Sequence, residues 1–474
     1  MTSEDAFLSS FEPAVEALMR HAESGDAVRI VTHSDADGVA AGGILSRTAI
    51  RLGLRFRTTC EKRVDEGVVK GIASERPPLV IFSDIGSGYL DMIKEHLSGL
   101  DIIVLDHHLP VDVEAPNIVH VNPLVHGLDG ARGISGAGVS YLFSKRIDGG
   151  NVDLSPLAIV GALADQQDKG EKKALLDLNL RIETEAREAG LLETRVDLIF
   201  YGHETRPIAR AIAYTTTPFI PGLSGREDRC IAFLKEAGIE LKRDGRWRAL
   251  RDLSEEEKRT LFSALTKHLI YEGCDADAVY DLIGTVYTLT AEEAWTPMRD
   301  GREYASLLNA CARMERPSLG LAIALGDRDA AMKEAEETLD EYRRRIAEYL
   351  EWVKGSDRIE EMAHIYALEG GSDIDDRIIG VVASILLSTG ILREPKPIIA
   401  WARAEEGLIK VSARATEAMA RDGLDLGAVM REAAERFGGR GGGHDIAAGA
   451  FLSDEGERGF IELVDELVGR RGNA

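Results

Sequence analysis

Three apolar runs each stop at a residue that can bind a cation, and this constrains the fold more than anything else in the chain. Val28-Arg29-Ile30-Val31 leads to His33-Ser34-Asp35-Ala36-Asp37-Gly38, Leu79-Val80-Ile81-Phe82 to Ser83-Asp84, and Ile102-Ile103-Val104-Leu105 to Asp106-His107-His108. Helical patterns between them complete the βαβ signature of an α/β fold. Open sheets of this kind bind ligands beyond the carboxyl ends of their strands, so the three clusters are expected to meet in one crevice.

The rest of the N-terminal region fits that scheme. The spacing predicts helices over 7–22, 39–52, 139–145 and 155–163, and further strands over 55–60 and 118–121. A fourth acid, Asp165, closes the apolar run Gly161-Ala162-Leu163-Ala164. The middle of the chain is less regular, with helices expected over 207–213 and 254–271. A charged helix follows over 328–354, with Leu339, Tyr342, Ile346, Tyr349 and Leu350 on one stripe. A second α/β unit begins near 360, with helices over 378–387 and 426–437 and strands over 397–401, 409–413 and 447–452. Between its last helix and strand lies Gly438-Gly439-Arg440-Gly441-Gly442-Gly443-His444, which reads as a binding loop. The expected division is 1–185, 186–325, 326–358 and 359–474.

Composition narrows the chemistry. The 474 residues are 44% hydrophobic and 29% charged, as in ordinary globular proteins. No apolar run is long enough to span a bilayer and the polar N-terminus lacks a signal-peptide pattern, so a cytoplasmic location without membrane partners is expected. Four scattered cysteines without a CxxC pair argue against structural zinc and disulfides. A metal site must then use oxygen and imidazole ligands, which favours manganese or magnesium. The formal net charge of −24 opposes broad attraction to nucleic acid, although a local basic strip with bound divalent ions can still guide a phosphate backbone.

Each acid taken singly has an ordinary explanation. An aspartate after a strand is commonly a helix cap or turn former, and a glycine run is commonly a linker. Four such segments in order within one α/β domain are better explained by a site for two divalent ions, which needs a bridging carboxylate and separate ligands for each ion. Asp35 and Asp37, two apart in extended backbone, are expected to point the same way. Gly38 allows a tight turn into the next helix. No GxxxxGK[ST] segment is present, which removes a P-loop mechanism. In the C-terminal unit, glycines let backbone N–H groups approach an anion, Arg440 can fork onto phosphate oxygens and His444 can donate one more hydrogen bond.

With these segments in view, the chain resembles the DHH phosphoesterases, named for the triplet that stands here as Asp106-His107-His108. Asp35-Ala36-Asp37-Gly38, Ser83-Asp84 and Gly161-Ala162-Leu163-Ala164-Asp165 match that superfamily's other ordered motifs. The resemblance implies a catalytic site with two divalent cations, manganese first and magnesium second. Asp84 would bridge them, Asp35 would bind one, and Asp37, His107 and Asp165 the other, with His33 joining the ligand set. His108 would contact the scissile phosphate and Asp106 would orient the histidine pair. Gly441-Gly442-Gly443-His444-Asp445-Ile446-Ala447-Ala448-Gly449 is similar to the GGGHxxAxG pattern of the DHH-associated domain. Ile379–Ser384 and Ser412-Ala413-Arg414 agree with it, so Arg414, Arg440, Gly441, Gly442, Gly443 and His444 would hold substrate.

The block between the two ends looks most like that of archaeal RecJ-type single-strand nucleases. What this implies is a two-metal exonuclease on single-stranded DNA, running 5′ to 3′, in replication or repair, with the GINS complex as partner through the insertion. Two alternatives stand beside it: a 3′-to-5′ exonuclease on RNA or short oligonucleotides, and a replisome scaffold with a vestigial site.

Overall fold

The computed structural model describes residues 2–215, 220–274, 276–388, 392, 394–453 and 456–471. They fall into two compact units, one formed by Met1–Thr215 with Ile220–Leu339, the other mainly by Asp340–Ala474.

The first unit is built on five parallel strands: Ala27–His33 (β1), Arg55–Glu61 (β2), Leu79–Ser83 (β3), Asp101–Leu105 (β4) and Ile118–Val121 (β5), in the order β2-β1-β3-β4-β5. β3 is an unbroken apolar run and is buried throughout; β1 is nearly so, burying Arg29 by pairing it with Glu75 at 3.1 Å. β2 lies at the edge, and its Arg55 and Arg57 suit a strand with one side open. Neighbouring strands β1 and β3 lead off in opposite directions across the sheet, which makes the gap between them the topological switch point.

Helix Ala36–Arg51 is buried on nearly every face. Its glycines permit this: a Cβ on Gly42 would lie 2.8 Å from Thr32 Cγ2, and one on Gly43 2.6 Å from Ala324 Cβ. The N-terminal helical stretch, expected as one element, is two, Ser3–Ser9 and Phe11–Glu23, joined at Ser10. Helices Gly136–Ile147 and Ser155–Ala164 follow as the pattern requires.

The middle residues belong to this same unit. Leu192–Leu198 (β6) pairs antiparallel with Ile283–Leu289 (β9), while Lys242–Arg243 (β7) and Arg246–Trp247 (β8) form a short hairpin. Ile208, Ile212, Leu234, Leu261, Leu265 and Leu269 make a separate helical core. Helix Ala330–Lys354 buries Leu339, Tyr342 and Val353, and the division between the two units falls within it.

The second unit is a mixed six-stranded sheet of Ile359–Glu361 (β10), Tyr366–Gly371 (β11), Ile398–Arg403 (β12), Leu408–Arg414 (β13), Arg440–Gly443 (β14) and Ala447–Ser453 (β15), ordered β10-β11-β12-β13-β15-β14. Helices Leu426–Arg436 and Glu457–Arg471 share a core with Ile399, Val411, Ala450 and Leu452. The glycine run expected to be a loop is instead an edge strand, with Gly441 opposite Ala450 and Gly442 opposite Gly449. The cause is close packing: a Cβ on Gly441 would lie 2.4 Å from the Met430 carbonyl oxygen. Among the described residues, no helix is long and apolar enough to cross a membrane.

Candidate metal centre

Sheet register brings the site together. Thr32 lies opposite Ser83, Ser83 opposite Leu105, and Leu105 opposite Val121, so the residues that follow these strand ends emerge side by side. Three groups of ligand atoms result, each within 4.8 Å: His33, Asp35 and Asp84; Asp37, His107 and Asp165; and Asp84, Asp106, His107 and His108.

Asp35 and Asp37 do not point the same way, because the chain turns from extended backbone at Asp35 into a helix at Ala36. Asp35 is the N-cap of helix Ala36–Arg51 and accepts a hydrogen bond from Gly38 N at 2.9 Å. Asp37 already lies in the first helical turn. The two positions therefore lie on different faces of the helix start, sending Asp35 toward His33 and Asp37 toward His107 and Asp165. Gly38 is needed for contact rather than for an unusual dihedral, since a Cβ there would fall 2.3 Å from His33 O.

Asp37 meets the N-terminus of a second helix. Its oxygens accept hydrogen bonds from Ser135 Oγ (2.9 Å), Gly136 N (2.7 Å) and Ala137 N (3.1 Å). Two glycines make room for carboxylates: a Cβ on Gly136 would lie 2.4 Å from Asp84 Oδ1, and one on Gly161 2.2 Å from Asp37 Oδ1. Ser135 and Gly136 escaped the sequence reading. The helix-start pattern of Ser135 followed by small residues was visible, but nothing in it pointed to Asp37.

Asp84, 1% exposed, adopts φ +56°, a left-handed conformation uncommon for a side chain-bearing residue. Its two oxygens face different groups: Oδ1 lies 3.1 Å from His107 Nε2, and Oδ2 lies 3.6 Å from His33 Nδ1. His33 Nδ1 also comes within 2.9 Å of Asp35 Oδ2. Even so, neither His33 Nδ1 nor Asp84 Oδ2 has an aligned hydrogen-bond partner, although both are buried.

The tautomer of His107 follows from its surroundings. Nδ1 lies 2.6 Å from Gly130 O, a carbonyl that can only accept, so Nδ1 carries a proton and donates it. The neutral ring then turns the Nε2 lone pair toward Asp84, Asp37 (3.8 Å) and Asp165 (3.7 Å). A lone pair facing three carboxylates needs a cation or a second ring proton. A histidine that donates its other N–H to a backbone carbonyl is the usual posture of a metal ligand.

Asp106 takes another part. Its Oδ1 accepts from His107 N (2.8 Å), His108 N (3.2 Å) and the His108 ring (2.8 Å), while Oδ2 accepts from Ser87 N (2.8 Å). It thereby fixes the backbone of both histidines and the ring of one. The His108 ring stays 44% exposed.

The electrostatics are lopsided. Burial, reinforced by Asp84 and Asp165, pushes Asp37 well above the usual carboxylate range. Burial works against charge on His33 and His107, but their carboxylate neighbours outweigh it and raise both. Burial also opposes ionisation of Asp35 and Asp106. For Asp35 the charge of His33 wins, and for Asp106 that of His108 and His107, so both are held below the ordinary range. Crowded acids, two buried atoms without aligned partners and an imidazole lone pair turned inward form a donor set that fits divalent cations of the oxygen- and imidazole-binding kind.

In the second unit, Arg414 donates through Nε to Ser384 Oγ (3.1 Å) and through Nη1 to Ala413 O (2.8 Å). Arg440 and His444 are exposed, as is Gly443, which has φ +132°. Nothing lies within 4 Å of a Cβ built on Gly442, so the space on that side of the strand is open.

Comparison with known proteins then places these features. Family models match three stretches: the DHH family, N-terminal domain over residues 27–164, the DHH-CID domain over 200–283, and the DHHA1 domain over 362–470. An uncharacterised protein of Methanocaldococcus jannaschii is 33% identical over 450 residues, 94% of each chain. The single-stranded-DNA-specific exonuclease RecJ of Thermus thermophilus is 30% identical over 172 residues, 33% of this chain and 25% of that protein. Its crystal structure in complex with Mn2+ aligns with a TM-score of 0.60 at 18% identity, over 97% of this chain and 55% of that one. This chain therefore spans about half of that RecJ structure. CDC45 from Entamoeba histolytica aligns with a TM-score of 0.63 at 12% identity, over 98% and 99% of the two chains. These structural likenesses are statements about fold.

Proposed function

The chain belongs to the DHH family and is RecJ-like within it, and from that premise we propose a single-strand-specific exonuclease that hydrolyses phosphodiester bonds of DNA from the 5′ end. The observation that carries this reading is Asp84, whose two oxygens face the His33–Asp35 group and the His107 group separately. His33 and Asp35 would hold one cation, Asp37, His107 and Asp165 the other, and Asp84 both. Such ions, when bound, activate water near neutral pH and offset charge on the attacking and leaving oxygens. Manganese is the cation of choice, in line with the Mn2+ complex of the Thermus protein, with magnesium second.

The chain's own groups do the positioning. Asp106 holds the His108 ring by Nδ1 and, with Asp84, outweighs burial to raise its pKa, so the protonated ring would offer Nε2–H to the scissile phosphate. Gly130 O fixes the tautomer of His107. In the second unit Arg414, Arg440, His444 and the backbone of Gly441–Gly443 would grip the strand. The four-part division at 185, 325 and 358 and a cytoplasmic, replication- or repair-linked role belong to the same reading.

The CDC45-like fold favours a second reading, a replisome scaffold contacted through the middle segment, with GINS as the expected partner. End-labelled single-stranded DNA and RNA of matched sequence, digested with Mn2+, separate the possibilities. Release from the 5′ end of DNA is expected. Loss confined to RNA 3′ ends would move the assignment to the other polarity and sugar, and no turnover of any single strand would leave the scaffold.

A further inference from the structure

Downstream of Asp165 the backbone is strained. Gln166, Lys172, Lys173 and Asp177 have φ of 55°, 54°, 54° and 46°, the left-handed region that side chain-bearing residues avoid. Such conformations persist where the surroundings over-determine them. At Lys172 and Lys173 the restraints come from the middle segment. Thr285 Oγ1 donates to Lys172 O (3.1 Å); Tyr287 OH donates to Lys173 O (3.3 Å) and accepts from Leu175 N (2.9 Å). Arg302 donates to Asp168 Oδ2 (2.6 Å) and to Lys173 O (3.3 Å), with its guanidinium 5.3 Å from the centre of the Tyr287 ring.

What this brace holds in place is Gln167, which is fully buried. Its Nε2 donates among Asp165 Oδ2 (3.0 Å), Gly130 O (3.1 Å) and Ile134 O (3.3 Å), and its Oε1 accepts from Asn179 Nδ2 at 2.6 Å. Gly130 O is the same oxygen that fixes His107 Nδ1. One amide group thus touches the carboxylate of one ligand and the carbonyl that sets the tautomer of another.

We infer that Gln167 is a positioning residue for Asp165 and His107, and that Arg302 and Tyr287 set the cation affinity of the site by holding the turn that carries it. The inference rests on the cation-binding reading of the site. It gives the middle segment a part in the hydrolytic centre, with no residue of that segment touching a cation. Partners of ligands commonly act in this way, by fixing ligand orientation and basicity.

The full-length chain and its variants would be titrated with Mn2+ while the signal of the free ion is followed by electron paramagnetic resonance. Gln167→Met keeps the side-chain length and removes the donor; it should weaken one class of Mn2+ sites by about tenfold or more. Arg302→Met should weaken the same class by about fivefold. The double variant should be no weaker than Gln167→Met alone, because both act through one contact. Unfolding in EDTA checks that the fold is kept. Should Arg302→Met fail that check, Tyr287→Phe removes a single hydroxyl and should weaken binding by about threefold. Wild-type Mn2+ affinity in Gln167→Met, or additive losses in the double variant, would overturn the inference. A wild-type chain that takes up no Mn2+ would overturn the cation reading itself, a failure visible before any variant is made.

Discussion

Asp37 and Asp197 are both buried aspartates of the first unit, yet their surroundings drive them in opposite directions. Asp197 lies 2.5 Å from Lys258 Nζ, 3.1 Å from Arg195 Nε and 3.4 Å from His203 Nε2. Burial raises its pKa, but His203 and Lys258 outweigh this and hold the carboxyl well below the ordinary range. Around Asp37 the charges that follow burial in strength are Asp84 and Asp165, and they push it up. Where an acid supports the fold, the chain supplies the cation. At the strand ends it gathers further acids and shapes the space with glycine, a pattern that calls for a cation from solution.

The contrast can be broken most sharply at Asp84. Asn tolerates a left-handed backbone, so Asp84→Asn changes charge without changing the local fold. Turnover should fall by about 10³-fold or more through loss of the shared ligand. The unfolding midpoint in EDTA should rise, because one of the crowded charges is gone. A lowered midpoint would mean that the cluster is already neutralised by the protein.

Lys258→Met is the mirror test. It removes the nearest of the cations around Asp197, leaving Arg195 and His203, and should cost about 2–3 kcal/mol in denaturant unfolding, less than a fully uncompensated buried charge. The stabilisation by Mn2+ measured against EDTA should be unchanged, and a reduced increment would join two clusters that the comparison keeps apart.

Glycine substitutions sharpen it further. Gly161→Ala places a Cβ against Asp37, and Gly441→Ala places one against Met430 O. Each should cost about 1–3 kcal/mol from overpacking. Only the first should weaken Mn2+ binding, which by itself should lower turnover by about 10²-fold; any loss in the second should arise in substrate binding with Mn2+ affinity unchanged. Equal effects on binding would remove the distinction between a glycine that clears a carboxylate and one that clears a helix.

The smallest expected effect is in acid. Glu257 receives both arms of Arg248 at 2.7 Å, and this pair lowers its carboxyl from 4.5 to about 2. A depressed carboxylate adds stability above its unfolded value and loses it as pH falls toward the folded one. Wild type should therefore exceed Glu257→Gln by a constant margin above pH 4.5, and the margin should narrow below it. A pH-independent difference in unfolding free energy would mean that packing, not charge, makes the pair.

The parallel sheet, the order of its clusters and the second α/β unit were legible because short apolar runs alternating with helical patterns admit little other than an α/β sheet. Asp35, Asp84 and Asp106 were legible because they follow those runs. Other parts were hidden. The paired orientation expected of Asp35 and Asp37 failed, since helix Ala36–Arg51 starts one residue after Asp35 and turns them apart. Expecting a loop at Gly438–His444 failed because glycine marks short space as well as turns, and the sequence does not say which. At Gly441 that space is taken by helix Leu426–Arg436 and at Gly161 by a carboxylate, and no local pattern distinguishes the two.

The order of residues along the chain was enough to set the row of acids and histidines at the strand ends, since strand register follows from the hydrophobic pattern and carries its flanking residues along. The tertiary structure alone decided how those residues are held. Ser135 and Gly136 reach Asp37 from about a hundred positions away, and Tyr287 and Arg302 brace the turn after Asp165 from still further. Directional hydrogen bonds between such distant segments depend on packing, which a one-dimensional pattern does not encode.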